Sequence, residues 1–179
     1  MLLSILLYSL CRIFIQFCGS MLCRVMYWTE YYGNSSGSIM KAGMDGSGPV
    51  ILVTGLREPC GITFDIDGAR LYWADLLGKK IQSSNLDGGE VITITEVPVG
   101  PYGIALLDDR LYWSYWDSKV VQSSSKDGTE FQRIFEGTGS SRDFAVPTWN
   151  LPTKRPNFCS HRLCPNICVL SPKVFQCLD

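Results

Sequence analysis

The dipeptide Tyr-Trp occurs three times in this chain in a similar frame: Tyr27-Trp28-Thr29-Glu30, Tyr72-Trp73-Ala74-Asp75 and Tyr112-Trp113-Ser114-Tyr115. The copies recur with a period of ~40–45 residues. Each is followed by an Asp-Gly pair: Asp45-Gly46, Asp87-Gly88 and Asp127-Gly128. The Tyr-to-Asp interval is the same in the second and third units and three longer in the first. An apolar residue, Ile39, Ile81 or Val121, stands six positions before each of these aspartates. The second and third units are preceded by Pro-x-Gly-Ile, at Pro59-Cys60-Gly61-Ile62 and Pro101-Tyr102-Gly103-Ile104. So many matches in fixed order mark a chain of stacked supersecondary units, none of which buries its apolar surface alone.

Within one unit the periodicity is that of strands. Gly61–Asp65 is a short alternating run, and Asp67-Gly68 is a turn signal. Arg70–Ala74 is apolar at consecutive positions, which predicts a strand covered on both faces. A third run, Ile81–Leu86, ends at the hairpin-type pair Asp87-Gly88, and Val91–Thr95 alternates isoleucine with β-branched threonine. Four short antiparallel strands every ~40–45 residues predict an all-β fold of propeller blades. Strand side chains alternate, so Tyr72 and Trp73 point to opposite faces. Each can fill one wedge between neighbouring blades with a large rigid ring, and the pairs read as core rather than as ligand contacts. The first unit has three extra residues between its Tyr-Trp and Asp-Gly, within Gly33–Ser38. That polar loop contains Asn34-Ser35-Ser36, an N-glycosylation sequon if the chain is secreted.

The cysteines separate the repeat body from its flanks. Of eight, Cys11, Cys18 and Cys23 precede the body, Cys60 stands alone within it, and Cys159, Cys164, Cys168 and Cys177 crowd the C-terminal end. Residues 1–25 form a leader: from Met1 to Cys23 it is mostly apolar, and Arg12 is the one charge. It reads as a secretory signal peptide, as a membrane anchor, or as a segment foreign to the repeat body, and the first two place the body outside the cytosol. The tail spacing Cys159-x4-Cys164-x3-Cys168-x8-Cys177, with His161 inside it, fits either a zinc site or a disulfide framework. The absence of a CxxC pair favours disulfides. Cys60 shows no partner in the sequence and reads as a buried inert thiol or an exposed reactive one.

Several functions are disfavoured at this level. Apolar residues make up 46% of the chain and charged residues 18%, which is too much core-forming surface for a disordered chain. The net charge of −1 carries no basic excess of the kind a nucleic-acid binder shows. There is one histidine, His161, and no Gly-x-Ser-x-Gly, His-Glu-x-x-His or P-loop pattern, so the expectation is a non-enzyme without a cofactor or catalytic metal. Asp65-Ile66-Asp67-Gly68 lacks the later ligands of a calcium loop and reads as a turn.

The repeat resembles the YWTD, or class B, repeats of the low-density lipoprotein receptor family. Arg70-Leu71-Tyr72-Trp73-Ala74-Asp75 together with Ile81 through Gly88 is a near-complete match to its motif. The resemblance covers about residues 26–177. In that family six repeats close a six-bladed propeller, usually followed by an EGF-like module. The implied architecture here is a partial six-bladed YWTD β-propeller of about three blades over 26–150. A truncated EGF-like module follows over 151–179. The family's pairing implies disulfides Cys159–Cys168 and Cys164–Cys177. Only Asp75 keeps the aspartate of the motif, since Glu30 and Tyr115 stand in the other two units. The third blade is therefore expected to lose whatever turn hydrogen bonds that carboxylate makes.

The same resemblance implies an extracellular or cell-surface protein-binding role on the propeller's top rim. Matched by motif, the rim positions are Tyr31, Leu76 and Trp116 after the Tyr-Trp elements, Glu58 and Tyr102 before Gly-Ile, and Arg142 in the closing segment. The order of aromatics looks most like the Wnt co-receptor branch, which implies Wnt ligands or their secreted antagonists as partners. A generic endocytic lipoprotein-receptor relative binding lipoproteins, a nidogen-like matrix module, and a truncated product without independent function stand as alternatives. Membrane attachment would come through the leader or through a segment of a longer parent chain.

Overall fold

The structure, a computed structural model, describes residues 25–136 in full and three flanking strand segments by their backbone alone. Among the described residues the fold is all-β: three four-stranded antiparallel sheets and one two-stranded hairpin. Blade one consists of β1 (Phe14–Ile15), β2 (Val25–Tyr31), β3 (Gly37–Gly43) and β4 (Val50–Leu56). Blade two consists of β5 (Pro59–Asp65), β6 (Arg70–Asp75), β7 (Lys80–Asn85) and β8 (Ile92–Glu96). Blade three consists of β9 (Pro101–Leu107), β10 (Arg110–Tyr115), β11 (Val120–Ser125) and β12 (Gln132–Glu136). Within each blade the strands pair in sequence order, as consecutive hairpins.

Each Pro-x-Gly-Ile element forms the innermost strand of its blade, and each Tyr-Trp pair lies on the second. Blade one has no Pro-x-Gly-Ile element. Two residues of the apolar leader take the place beside β2, with Phe14 opposite Trp28 and Ile15 opposite Tyr27. The glycine of the motif has a steric reason: a Cβ at Gly61 would stand 2.6 Å from the Tyr102 carbonyl oxygen and 2.7 Å from the Ile104 amide nitrogen. Only a residue without a side chain lets adjacent inner strands approach that closely.

The Tyr-Trp pairs behave as the strand periodicity predicts. Trp73 and Trp113 are completely buried. Tyr27 of blade one and Trp73 of blade two share one apolar cluster, with Ile39, Ile62 and Leu71. Tyr72 of blade two and Trp113 of blade three share the next, with Ile81, Ile104 and Leu111. Tyrosine thus faces the following blade and tryptophan the preceding one. The partners across β6–β7 and β10–β11 are small: Tyr72 opposes Ser83, Leu71 opposes Ser84, Tyr112 opposes Ser123 and Leu111 opposes Ser124. A large residue against a small one keeps each blade thin enough to stack on the next. Arg70 and Arg110 repeat the same clamp, donating to the hydroxyls of Ser83 and Ser123 at 3.0 Å each.

Polar contacts also tie blade two to blade three. Lys126 Nζ lies 2.7 Å from Asp65 and 2.8 Å from Asp109. Burial alone would push the Asp65 carboxyl up. The Lys126 hydrogen bond and charge, with the Gly68 amide that closes the Asp65–Gly68 turn, hold it below its ordinary value instead. Cys60 is disulfide-bonded, and its partner lies outside the residues whose side chains are described. The expectation of a free thiol is therefore wrong, because a cross-link leaves no sequence signal when the repeat supplies no second cysteine. Its Sγ rests 3.6 Å from the Glu58 carbonyl oxygen, a contact rather than a hydrogen bond, since a disulfide sulfur carries no proton. In the tail, β13 (Ile167–Leu170) and β14 (Phe175–Leu178) pair antiparallel with Cys168 opposite Cys177. The disulfides assigned to Cys159, Cys164, Cys168 and Cys177 fall outside the described side chains.

Two outcomes follow from this packing. Trp73→Ala and Trp113→Ala should each lower the unfolding free energy by about 3–5 kcal/mol, read from denaturant midpoints. A carboxyl held below its ordinary value stabilises the fold at neutral pH and surrenders that contribution as acid protonates it. Stability should therefore fall as pH drops below the usual carboxylate range, and Lys126→Met should flatten that acid limb in a pH series of melts.

Candidate functional site

The rim is built by corners that the repeat brings into line. Asp75, at the end of β6, accepts hydrogen bonds from the amides of Arg57 at 3.0 Å, Glu58 at 2.8 Å and Gly78 at 2.9 Å. One carboxylate thereby fastens the β4–β5 corner to the β6–β7 turn and sets the position of Glu58. The Leu76 amide donates to the Glu58 carbonyl at 2.8 Å, and in the next blade the Trp116 amide donates to the Gly100 carbonyl at 3.2 Å. Blade three therefore keeps the backbone link after replacing the carboxylate. Its Tyr115 is buried and accepts at its hydroxyl from Trp113 Nε1 at 3.0 Å, while donating to Gln122. The indole of Trp73 has no such partner among the described residues.

Between blades two and three these corners enclose an open cleft of about 420 Å³. Glu58 and Leu76 line it on the blade-two side and Trp116 on the blade-three side. Tyr102 lies against Trp116, with ring centroids 5.0 Å apart and planes at 57°. Four of the six rim residues expected from the motif therefore converge on one place. Tyr31 occupies the equivalent position of blade one, half-buried at the end of β2, and does not line the cleft. Arg142 lies outside the described residues. Asn34 is exposed in the β2–β3 loop with φ 53°, a left-handed conformation that asparagine tolerates.

The cleft also contains residues that sequence reasoning missed: Leu77, Lys79, Val99, Gly100 and Asp117. Leu77 and Val99 are exposed apolar side chains, so the wall is greasier than the motif positions alone suggested. Gly100 is the floor, since a Cβ there would stand 2.7 Å from the Leu76 carbonyl oxygen. Leu77, Lys79 and Asp117 fall in the turns that follow Tyr-Trp strands, and Val99 and Gly100 in the link before β9. Chemically the cleft offers an apolar surface bounded by the Glu58 and Asp117 carboxylates and the Lys79 ammonium. Burial, and after it the charge of Asp75, raises the Glu58 carboxyl above its ordinary value. Among the described residues no cluster of three or more His, Cys, Asp or Glu could hold a metal ion.

No protein-family model matches the chain. The vitellogenin receptor Yl of Drosophila melanogaster is 31% identical over 152 residues, which cover 82% of this chain and 7% of that receptor. Human low-density lipoprotein receptor-related protein 5 is 35% identical over 71 residues, 40% of this chain and 4% of that protein. The chain thus spans a small fraction of the curated relatives it matches. Among solved structures, a chain of the nidogen/laminin complex superposes with a TM-score of 0.60 at 25% identity, covering 73% of this chain and 51% of that one. A putative TolB from Agrobacterium tumefaciens superposes with a TM-score of 0.61 at 17% identity, covering 74% of this chain and 52% of that one, and shares the fold alone. With its repeats, its wedge-packed blades and these relatives, the chain belongs to the YWTD-repeat propellers of the low-density lipoprotein receptor family.

Proposed function

We propose that the chain is an extracellular protein-binding module, non-catalytic, whose ligand docks in the rim cleft between blades two and three. The observation that carries this reading is the aromatic pair Trp116–Tyr102 beside the exposed Leu77 and Val99. Rigid aromatic and aliphatic side chains clustered on a surface and flanked by charges are what interface anchors look like. Glu58 is the acidic partner for a cation on the ligand, and its backbone is already held by Asp75. The ligand class is Wnt ligands or their secreted antagonists, supported by the match to human low-density lipoprotein receptor-related protein 5 and by the aromatic order of the rim.

A second reading, an endocytic module for lipoprotein or yolk-type cargo, is favoured by the longer match to the vitellogenin receptor. Surface localisation through the secretory pathway, with a glycan on Asn34, belongs to both readings.

A binding panel on the immobilised chain separates them: a Wnt antagonist, a vitellogenin and laminin. Trp116→Ala should weaken the retained partner at least about tenfold, roughly 1.4 kcal/mol, without changing secretion. Unchanged binding would sink the cleft assignment. Because the Glu58 carboxyl is raised, it loses its charge on acidification before ordinary carboxylates do. Binding of a cationic ligand should weaken at that earlier pH, and Glu58→Gln should remove the step from the pH profile.

A further inference from the structure

Each blade presents the same indole donor, and the three blades answer it differently. In blade one Trp28 Nε1 donates to Glu30 Oε1 at 2.9 Å. In blade three Trp113 Nε1 donates to the Tyr115 hydroxyl at 3.0 Å, and that hydroxyl donates in turn to Gln122 Oε1. In blade two Asp75 holds the corresponding position, two residues after Trp73 and on the same face of β6. Its carboxylate is taken up by the amides of Arg57, Glu58 and Gly78. Trp73 Nε1 is left buried with no partner among the described residues, a costly state for a polar group.

The same junction is also short of bulk. Counted from the Asp-Gly turns, Val91 stands where blade three has Phe131. Phe131 meets Trp113 edge to face, with ring centroids 5.7 Å apart. With aspartate in place of tyrosine and valine in place of phenylalanine, an open pocket of about 470 Å³ remains between blades one and two. Its walls include both replaced positions, Asp75 and Val91, together with Gln82. Val53 and Leu56 close it from blade one and pack in the same apolar cluster as Trp73. Gln82 lies opposite Trp73 on β7, as Gln122 lies opposite Trp113 on β11. Its amide nitrogen is 3.5 Å from Thr93 Oγ1, which leaves Oε1 as the acceptor.

We infer that this pocket docks a tyrosine side chain of a partner protein, its hydroxyl accepting from Trp73 Nε1 and donating to Gln82 Oε1. The occupant is specified by the fold itself, since blade three satisfies the same indole and the same glutamine with a tyrosine of its own. The ring takes the apolar walls of Val53, Leu56 and Val91, and the hydroxyl ends the isolation of a buried donor. Arg57 and Lys80 also line the pocket, and Arg57 is exposed, so acidic residues on either side of the tyrosine are matched in charge. The site is distinct from the rim cleft and shares no lining residue with it.

Titration of the 179-residue chain with three probes tests this, followed by the indole N–H resonances in nitrogen-15 NMR. The probes are the capped tripeptide Glu-Tyr-Glu, its analogue Glu-Phe-Glu, and p-cresol. The tyrosine peptide should bind and move the Trp73 indole resonance, and the phenylalanine peptide should bind at least about tenfold more weakly. Val91→Phe restores the bulk that blade three has at this place and lies at an exposed position, so it should abolish binding with far-UV circular dichroism unchanged. Gln82→Met should remove most of the preference for tyrosine over phenylalanine. No binding of the tyrosine peptide at millimolar concentration would overturn the inference. Equal affinity for the two peptides would overturn it too, and would leave the indole to a water molecule. Binding undiminished by Val91→Phe would place the peptide elsewhere, and p-cresol binding as tightly as the tyrosine peptide would assign the pocket to a free phenol; either result overturns the docking of a partner tyrosine.

Discussion

Everything in this molecule depends on one wedge contact, the tyrosine of one blade against the tryptophan of the next. A four-stranded sheet with two apolar faces is insoluble alone and stable only in a stack. Here Tyr27 meets Trp73 and Tyr72 meets Trp113, while the buried serines opposite Tyr72 and Tyr112 leave room for the next layer. The rings bury a large area with few rotatable bonds, so their ordering costs little entropy for the surface removed from water. The contact is hydrophobic and non-directional in itself. Its angular precision comes from polar clamps at the margins, where Arg70, Arg110, Lys126 and Asp75 each hold a hydroxyl, a carboxylate or backbone amides.

The rim cleft is a by-product of that stacking. Corners that follow the Tyr-Trp strands in successive blades are carried to the same rim, and the gap between two of them is the cleft. Its position is fixed by Asp75 and by the glycine at position 100, neither of which offers a side chain to a ligand as its main contribution. The replacement of the motif carboxylate by Tyr115 shows how tolerant the scheme is. The third corner keeps its backbone hydrogen bond, and the new phenol satisfies an indole that its blade-two counterpart leaves without a partner among the described residues.

Much of this was legible in particular residues. The spacing of the Tyr-Trp and Asp-Gly pairs announced the blades, and strand alternation announced that Tyr72 and Trp73 face opposite neighbours. Glu58, Leu76, Tyr102 and Trp116 followed from the motif, and they do converge. Leu77, Lys79, Val99 and Asp117 did not follow, because they meet across turns belonging to different blades. Nothing in a one-dimensional period says which turn faces which link. The disulfide state of Cys60 was equally invisible.

The sequence by itself determined the secondary structure, the repeat and the identity of the core, since strand periodicity and turn chemistry are local properties of the chain. The tertiary structure decided which chemically identical positions are covered and which are bare. Gly46, Gly88 and Gly128 are indistinguishable in sequence and in backbone conformation, yet among the described residues a neighbouring carbonyl crowds only the last two. That difference arises from place in the stack: among the described residues, blade two has a neighbour on each face and blades one and three have one on a single face.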